Sequence, residues 1–228
     1  HEVANQMNHL RKWQQRVRVS TPKERRLANV LAKMGETCES LNLSKNVLET
    51  TSMIYRNLDG HIDVKGKSVV CITAATIYMA CKQCDVVRSL EEICRGIVPA
   101  KDVKSKTKLA ARYYRTMVME MGTLKAPVLT MDKYISKIAN MTQTEVRVER
   151  LALEIAEKTK DNSISDGKSP NGIAAAYLYV SSVLLGQSVL QRDVSSVAGV
   201  TEVTIRNRCK EILTSHKLKI TLRPSLAK

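Results

Sequence analysis

The chain has 228 residues, 43% of them apolar and 26% charged, with only 9 Gly and 5 Pro. That balance excludes a disordered chain and allows either one large domain or two of about 100 residues, rich in helix and poor in turns. Net charge is +15, with 37 Lys and Arg against 22 acids, which favours a polyanionic or strongly acidic partner. No apolar run approaches the ~20 residues that a bilayer requires, and residues 1–18 lack the apolar centre of a secretory signal. No membrane partner is therefore expected, and the protein is expected to act inside the cell. It begins with His rather than Met, so a fragment is expected whose missing N-terminus could hold a further domain.

The positive charge is clustered. A basic block, Arg11, Lys12, Arg16, Arg18, Lys23, Arg25 and Arg26, opens the chain; residues 1–20 read as a basic linker segment. Thr21-Pro22-Lys23-Glu24 then supplies an N-cap hydroxyl, a Pro at the first helical position and a Glu that can reach back to the cap amide. Leu27, Val30, Leu31 and Met34 follow at helical spacing, so a helix is expected there. Ser44 can cap a second helix, with Val47, Leu48, Met53 and Ile54 as its apolar residues.

Next comes "GKSVVCITAATIYMACK" from Gly66, which aligns without gaps to "GKSPNGIAAAYLYVSSV" from Gly167 at an offset of 101 positions. Gly66/Gly167, Lys67/Lys168, Ser68/Ser169, Ile72/Ile173, Ala74/Ala175, Ala75/Ala176 and Tyr78/Tyr179 are identical. Solenoid periods are shorter, so two copies this far apart mean duplicated domains. The Gly- and Pro-bearing "GTLKAPVL", Gly122 to Leu129, marks the boundary, giving a first repeat over 21–124 and a second over 125–228. The Ala-rich repeat segment reads as a central helix ringed by four others in each copy, started in the second by Ser169-Pro170. Ser89 and Glu92 form another capping box, opening a short helix that Gly96 closes. Nothing alternates cleanly as a strand would, so the fold class is all-α, with about five helices per copy.

Residues 95–125 carry eight Lys and Arg against two acids, and 201–228 carry seven against two. In the first block, Lys101, Lys104, Lys106 and Lys108 suit phosphates or an acidic protein better than base edges. In the second, Gln191 to Ala198 reads as a short helix, Gly199 as a turn and Thr201 as the cap of a helix reaching about Ser215. That is helix-turn-helix spacing. Ile205, Cys209 and Ile212 form an inward stripe, while Val203, Arg206, Asn207 and Lys210 share another face with Arg208 between them. Such a helix could enter a major groove, with Arg206 donating to guanine, Val203 packing on a thymine methyl and Lys210 reaching phosphate. A solvated basic surface is the bland alternative.

Other chemistry is weaker. Cys71, Cys81, Cys84 and Cys94 have the spacing C-x9-C-x2-C-x9-C, which invites zinc or redox readings. Cys71 and Cys81 fall inside the Ala-rich helix, where Cys acts as a small hydrophobe, so no metal is expected. Four scattered histidines (His1, His9, His61, His216), no phosphate loop and no nucleophile triad leave no catalytic residues to name, and no cofactor is expected. Tyr113 and Tyr114 are expected in the core rather than stacked on bases.

"LRKWQ" (Leu10 to Gln14), the two "GKS" segments and "AGVTEVTIRNRCKE" (Ala198 to Glu211) together resemble the core of archaeal transcription factor B, the counterpart of eukaryotic transcription factor IIB. The resemblance covers residues 10–220 and implies two cyclin-like repeats of five helices each, holding a TATA-box promoter bent by TATA-binding protein and helping to recruit RNA polymerase. By position, it implies that Val203 and Arg206 read the B recognition element upstream of the TATA box, with Thr204, Asn207 and Arg208 beside them. Gly66 and Lys67 match the helix start that approaches DNA downstream, and Lys168 is the duplicate of Lys67. Lys101 and Lys104 lie where the family meets the acidic stirrup of TATA-binding protein. The family's N-terminal zinc ribbon has no counterpart in these residues.

Three function classes follow: a promoter-binding initiation factor acting as a monomer, a cyclin-type protein-interaction module such as a kinase activator, and a stand-alone dimeric repressor. The outer face of Val203, Arg206 and Lys210 favours the first. An archaeal origin would place it in the cytoplasm and a eukaryotic one in the nucleus.

Overall fold

A computed structural model describes residues 6, 7, 11, 13, 21–61, 66–120, 129–159 and 167–215. The basic residues Lys12, Arg16 and Arg18, most of "LRKWQ", the boundary residues 122–128 and the chain beyond 215 lie outside them. The chain divides into two compact units, His1–Val128 and Leu129–Lys228.

The first unit holds α1 (Pro22–Ser40), α2 (Lys45–His61), α3 (Val69–Gln83), α4 (Leu90–Arg95) and α5 (Val103–Glu120), with a 3-10 turn at Ala100–Asp102 before α5. Both predicted capping boxes form. The Thr21 hydroxyl accepts from the Glu24 amide at 3.2 Å, and the Glu24 carboxylate accepts from the Thr21 amide at 3.0 Å. Ser89 and Glu92 repeat the exchange at 3.1 and 2.6 Å. Each cap satisfies amides that a helix start leaves open, a contribution of about 1 kcal/mol.

α3 is buried continuously from Cys71 to Ile77 and again at Met79, Ala80 and Cys81. A helix apolar on all sides has to be enclosed, and α3 packs against each of α1, α2, α4 and α5. α2 presents Val47, Thr51, Ile54, Tyr55 and Leu58 to it. Met53, expected on that apolar face, is instead 54% exposed, because the helical rotation carries it to the side of α2 away from the buried stripe.

The second unit repeats the plan with α6 (Met131–Met141), α7 (Val146–Lys158), α8 (Pro170–Leu184), α9 (Gln191–Ala198) and α10 (Glu202–Ser215). α8 is the enclosed helix and touches all four others. Ser169 stands at its N-cap position, but its hydroxyl makes no cap bond. Pro170 has no amide to offer, and the Gly172 amide is taken by the Ser169 carbonyl at 3.1 Å. Ser68 likewise makes no side-chain cap at α3.

The 101-residue register runs well beyond the identical residues. α1 and α6 end at 40 and 141, α2 and α7 begin at 45 and 146, α3 and α8 span 69–83 and 170–184, and α4 and α9 begin at 90 and 191. Left-handed backbone recurs in the same register at Asn42 (φ 49°) and Gln143 (φ 51°), Gly66 (φ 71°) and Gly167 (φ 69°), and Asp85 (φ 60°) and Gly186 (φ 68°). The amides that follow close the helix ends alike: Leu43 to the Cys38 carbonyl at 2.9 Å and Thr144 to Ala139 at 3.0 Å; Val86 to Cys81 and Gln187 to Ser182, both at 2.8 Å. The copies part after α4 and α9. Seven residues join α4 to α5, and three join α9 to α10.

Candidate nucleic-acid interface

Gly199 ends α9 in the left-handed region (φ 65°, ψ 33°), where a side chain would be strained. The Val200 amide bonds back to the Ser195 carbonyl at 3.1 Å, and the Thr201 hydroxyl accepts from the Thr204 amide at 3.2 Å to start α10. Two helices joined by three residues give the expected helix-turn-helix. On α10, Ile205, Cys209 and Ile212 are buried in the core of the unit. Packing of that stripe fixes the rotation of the helix. Val203 is left 58% exposed, and Arg206, Asn207 and Lys210 are exposed beside it. Among the described residues Arg206 pairs with Glu202 alone, an exposed contact at 3.9 Å that a phosphate or base can displace at little cost.

The other residues singled out on α10 face inward along its flank. Thr204 is half-buried against the start of α8, where a β-carbon on Gly172 would stand 3.4 Å from its methyl. Arg208 bonds Glu211, and Lys168 from the turn before α8 donates to the same carboxylate at 3.0 Å. These contacts hold the Glu211 carboxyl below its usual range, the Lys168 hydrogen bond foremost. The structure thus brings Lys168 and the α10 residues together, but through an acid that sequence reasoning did not single out. The only local sign was its i+3 spacing from Arg208.

In the first unit, Gly66 is exposed and Lys67 half-buried. Their turn is pinned from two sides. Arg26 donates to the Lys67 carbonyl at 2.8 Å, and the Ser68 amide donates to the Tyr113 hydroxyl at 3.4 Å. Arg26, counted with the basic front block, is therefore half-buried and structural rather than free for an anion. Lys101, Lys104 and Lys108 are exposed along the start of α5 with Arg112 and Arg115, while Lys106 is half-buried. Tyr113 and Tyr114 pack against the core, Tyr114 edge-on to Tyr78 at 4.9 Å with the Lys82 ammonium over both rings.

Cys71, Cys81 and Cys94 are fully buried, and Cys84 is half-exposed with its thiol on the Thr50 hydroxyl at 3.4 Å. Burial pushes the Cys81 thiol up to about 12, and Cys38 and Cys209 to about 11. Thiols held protonated are poor ligands and nucleophiles. Among the described residues, no group of three or more His, Cys, Asp or Glu is placed to hold a metal, and no helix is long and apolar enough to cross a membrane.

The sequence profile of the Transcription factor TFIIB repeat matches this chain twice, over residues 23–112 and 124–215. Transcription initiation factor IIB of Archaeoglobus fulgidus is 39% identical over 217 residues, covering 95% of this chain and 64% of that protein. The protein of the same name from Methanosphaerula palustris is 37% identical over 217 residues, covering 95% and 63%. The chain spans less than two thirds of the length of these relatives. A chain of the yeast RNA Pol II CTD kinase CTDK-1 complex matches at 17% identity with a TM-score of 0.39, over 84% of this chain and 65% of that one, too distant to bear on function. Two family matches, one for each copy of an all-helical, cyclin-like fold, establish that this chain belongs to the transcription factor TFIIB repeat family.

Proposed function

We propose that this chain is the core of a general transcription initiation factor that binds promoter DNA together with TATA-binding protein. The observation that carries the reading is the outer face of α10, where Val203, Arg206, Asn207 and Lys210 stand exposed on a helix whose other side is locked into the core. Presented by a helix-turn-helix, that face fits the major groove upstream of the TATA box: Arg206 on guanine O6 and N7, Val203 on a thymine methyl, Asn207 beside them and Lys210 on phosphate.

Thr204, Arg208 and Lys168 act from the flank. Arg208 and Lys168 carry two positive charges against the single Glu211 carboxylate, so the cluster remains attractive to phosphate while its geometry is fixed. In the first repeat, Gly66 and Lys67 approach the DNA backbone downstream, and Lys101 and Lys104 meet an acidic surface of TATA-binding protein. The assembled complex then helps recruit RNA polymerase.

The test is a gel-shift titration at fixed salt on TATA promoter DNA, with and without TATA-binding protein, using intact and scrambled upstream elements. Binding that requires TATA-binding protein and prefers the intact element supports the reading. No binding under any of these conditions would favour a module that makes protein contacts only.

A further inference from the structure

The shared register exposes a difference between the repeats at the turn region before α4 and α9. In the first repeat, Arg88 lies across this region. Its guanidinium donates to the Leu41 carbonyl at 3.1 Å and pairs with Glu92 at 3.8 Å, both side chains about 28% exposed. Glu92 is also held by the Ser89 capping box. The positions 101 residues on are Val189 for Arg88, Thr142 for Leu41, Leu190 for Ser89 and Asp193 for Glu92. The turns on either side match in their left-handed residues and helix-closing bonds, and at the replaced position itself the Val189 amide turns back to the Gln187 carbonyl at 3.0 Å. The second repeat therefore keeps the carbonyl and the carboxylate and lacks the cation between them.

What replaces Arg88 is an open cleft of about 570 Å³, lined by Thr142, Glu145, Gly186, Val189, Asp193 and their neighbours. Asp193 and Glu145 are exposed, and among the described residues no cation pairs with either. Leu190 has no hydroxyl with which to cap α9, so Asp193 is not drawn into a capping box as Glu92 is. Asp193 is one methylene shorter than Glu92, and Gly186 stands where the first repeat has Asp85, so the side chains around the cleft are also smaller.

We infer that this cleft binds the guanidinium group of an arginine presented by a partner protein, in the position that Arg88 fills within the first repeat. The chemistry that selects it is the pairing of a carbonyl with a carboxylate. A planar fork with several fixed donors satisfies both at once, whereas an ammonium is a compact point charge. Two carboxylates and no cation in the lining turn phosphate away, so the occupant is a protein segment rather than nucleic acid.

The test is a titration of the whole chain, 15N-labelled, with acetyl-Gly-Arg-Gly-amide, its Lys counterpart and guanidinium chloride. Saturable amide shifts confined to Thr142–Glu145 and Gly186–Asp193 are expected, with the Arg peptide about tenfold tighter than the Lys peptide, the factor that one charge-assisted hydrogen bond supplies. Val189→Arg, which rebuilds the first repeat's arrangement, should abolish those shifts, and Asp193→Asn should weaken binding about tenfold. Equal binding of the two peptides, or no effect of Asp193→Asn, would overturn the inference. Guanidinium ion binding as tightly as the peptide would make this a free-cation site and overturn the protein partner.

Discussion

Lys168 and Glu211 meet at 3.0 Å, joining the glycine turn before α8 to the far half of α10. Because the Glu211 carboxyl titrates below its ordinary value in the folded chain, it adds stability above the unfolded pKa and loses it as pH falls through the folded one. The melting temperature of the native chain should exceed that of Glu211→Gln at neutral pH, and the gap should narrow as pH falls below the ordinary Glu pKa of about 4.3. Thermal melts of both proteins across that fall in pH check the sign; a gap that widens on acidification would refute it.

Arg206 and Lys67 should fail differently. Arg206→Ala should cost about 1 to 3 kcal/mol on the preferred upstream sequence and flatten the preference there, while Lys67→Ala should weaken all sequences alike. Competition gel shifts with preferred and scrambled elements separate the two. Equal loss on both sequences for Arg206→Ala would remove base readout from α10.

Gly199→Ala should destabilise the second unit by about 1 to 2 kcal/mol, since a β-carbon at φ 65° is strained even though no atom lies within 4 Å of it. Denaturant unfolding measures the loss. An unchanged midpoint would mean that the turn relaxes into another conformation.

Alkylation of the native chain with iodoacetamide should modify Cys84 first among the described cysteines, followed only on unfolding by Cys38, Cys81 and Cys209, whose thiols burial keeps protonated. Mass spectrometry of tryptic peptides gives the order. Protection of Cys84 that a chelator relieves would instead point to a bound metal.

Features set within one turn of chain were readable from the residues. Thr21 with Glu24, Ser89 with Glu92, and Thr201 before α10 each announce a helix start because donor and acceptor lie three residues apart. Gly199 was legible for a similar reason. Features set by distant partners were not. Lys168 and Glu211 are 43 positions apart, and Arg26 and the Lys67 carbonyl 41. Ser169 looked like a cap from residue type alone, but the amide it would have served was already bonded by its own carbonyl. Gln143 carries no sign of its left-handed backbone, which brings the Thr144 amide onto the Ala139 carbonyl to close α6. For the candidate site, the split of α10 into a buried and a free face followed from spacing, whereas the tethering of Arg208 and Lys168 required the fold.

The point at which the two copies stop matching divides each repeat into a chassis and a tool. From the end of α1 to the start of α4, and from the end of α6 to the start of α9, the turns and most of the helix ends keep one register, so either chassis offers a similar mounting for whatever follows. The last connection and last helix have been re-cut, a seven-residue link before an 18-residue helix in one copy and a three-residue link before a 14-residue helix in the other. Duplication on these terms lets one half change its working end while the other holds a spare copy of the frame, and it marks residues 90 and 191 as the positions at which working ends could be exchanged.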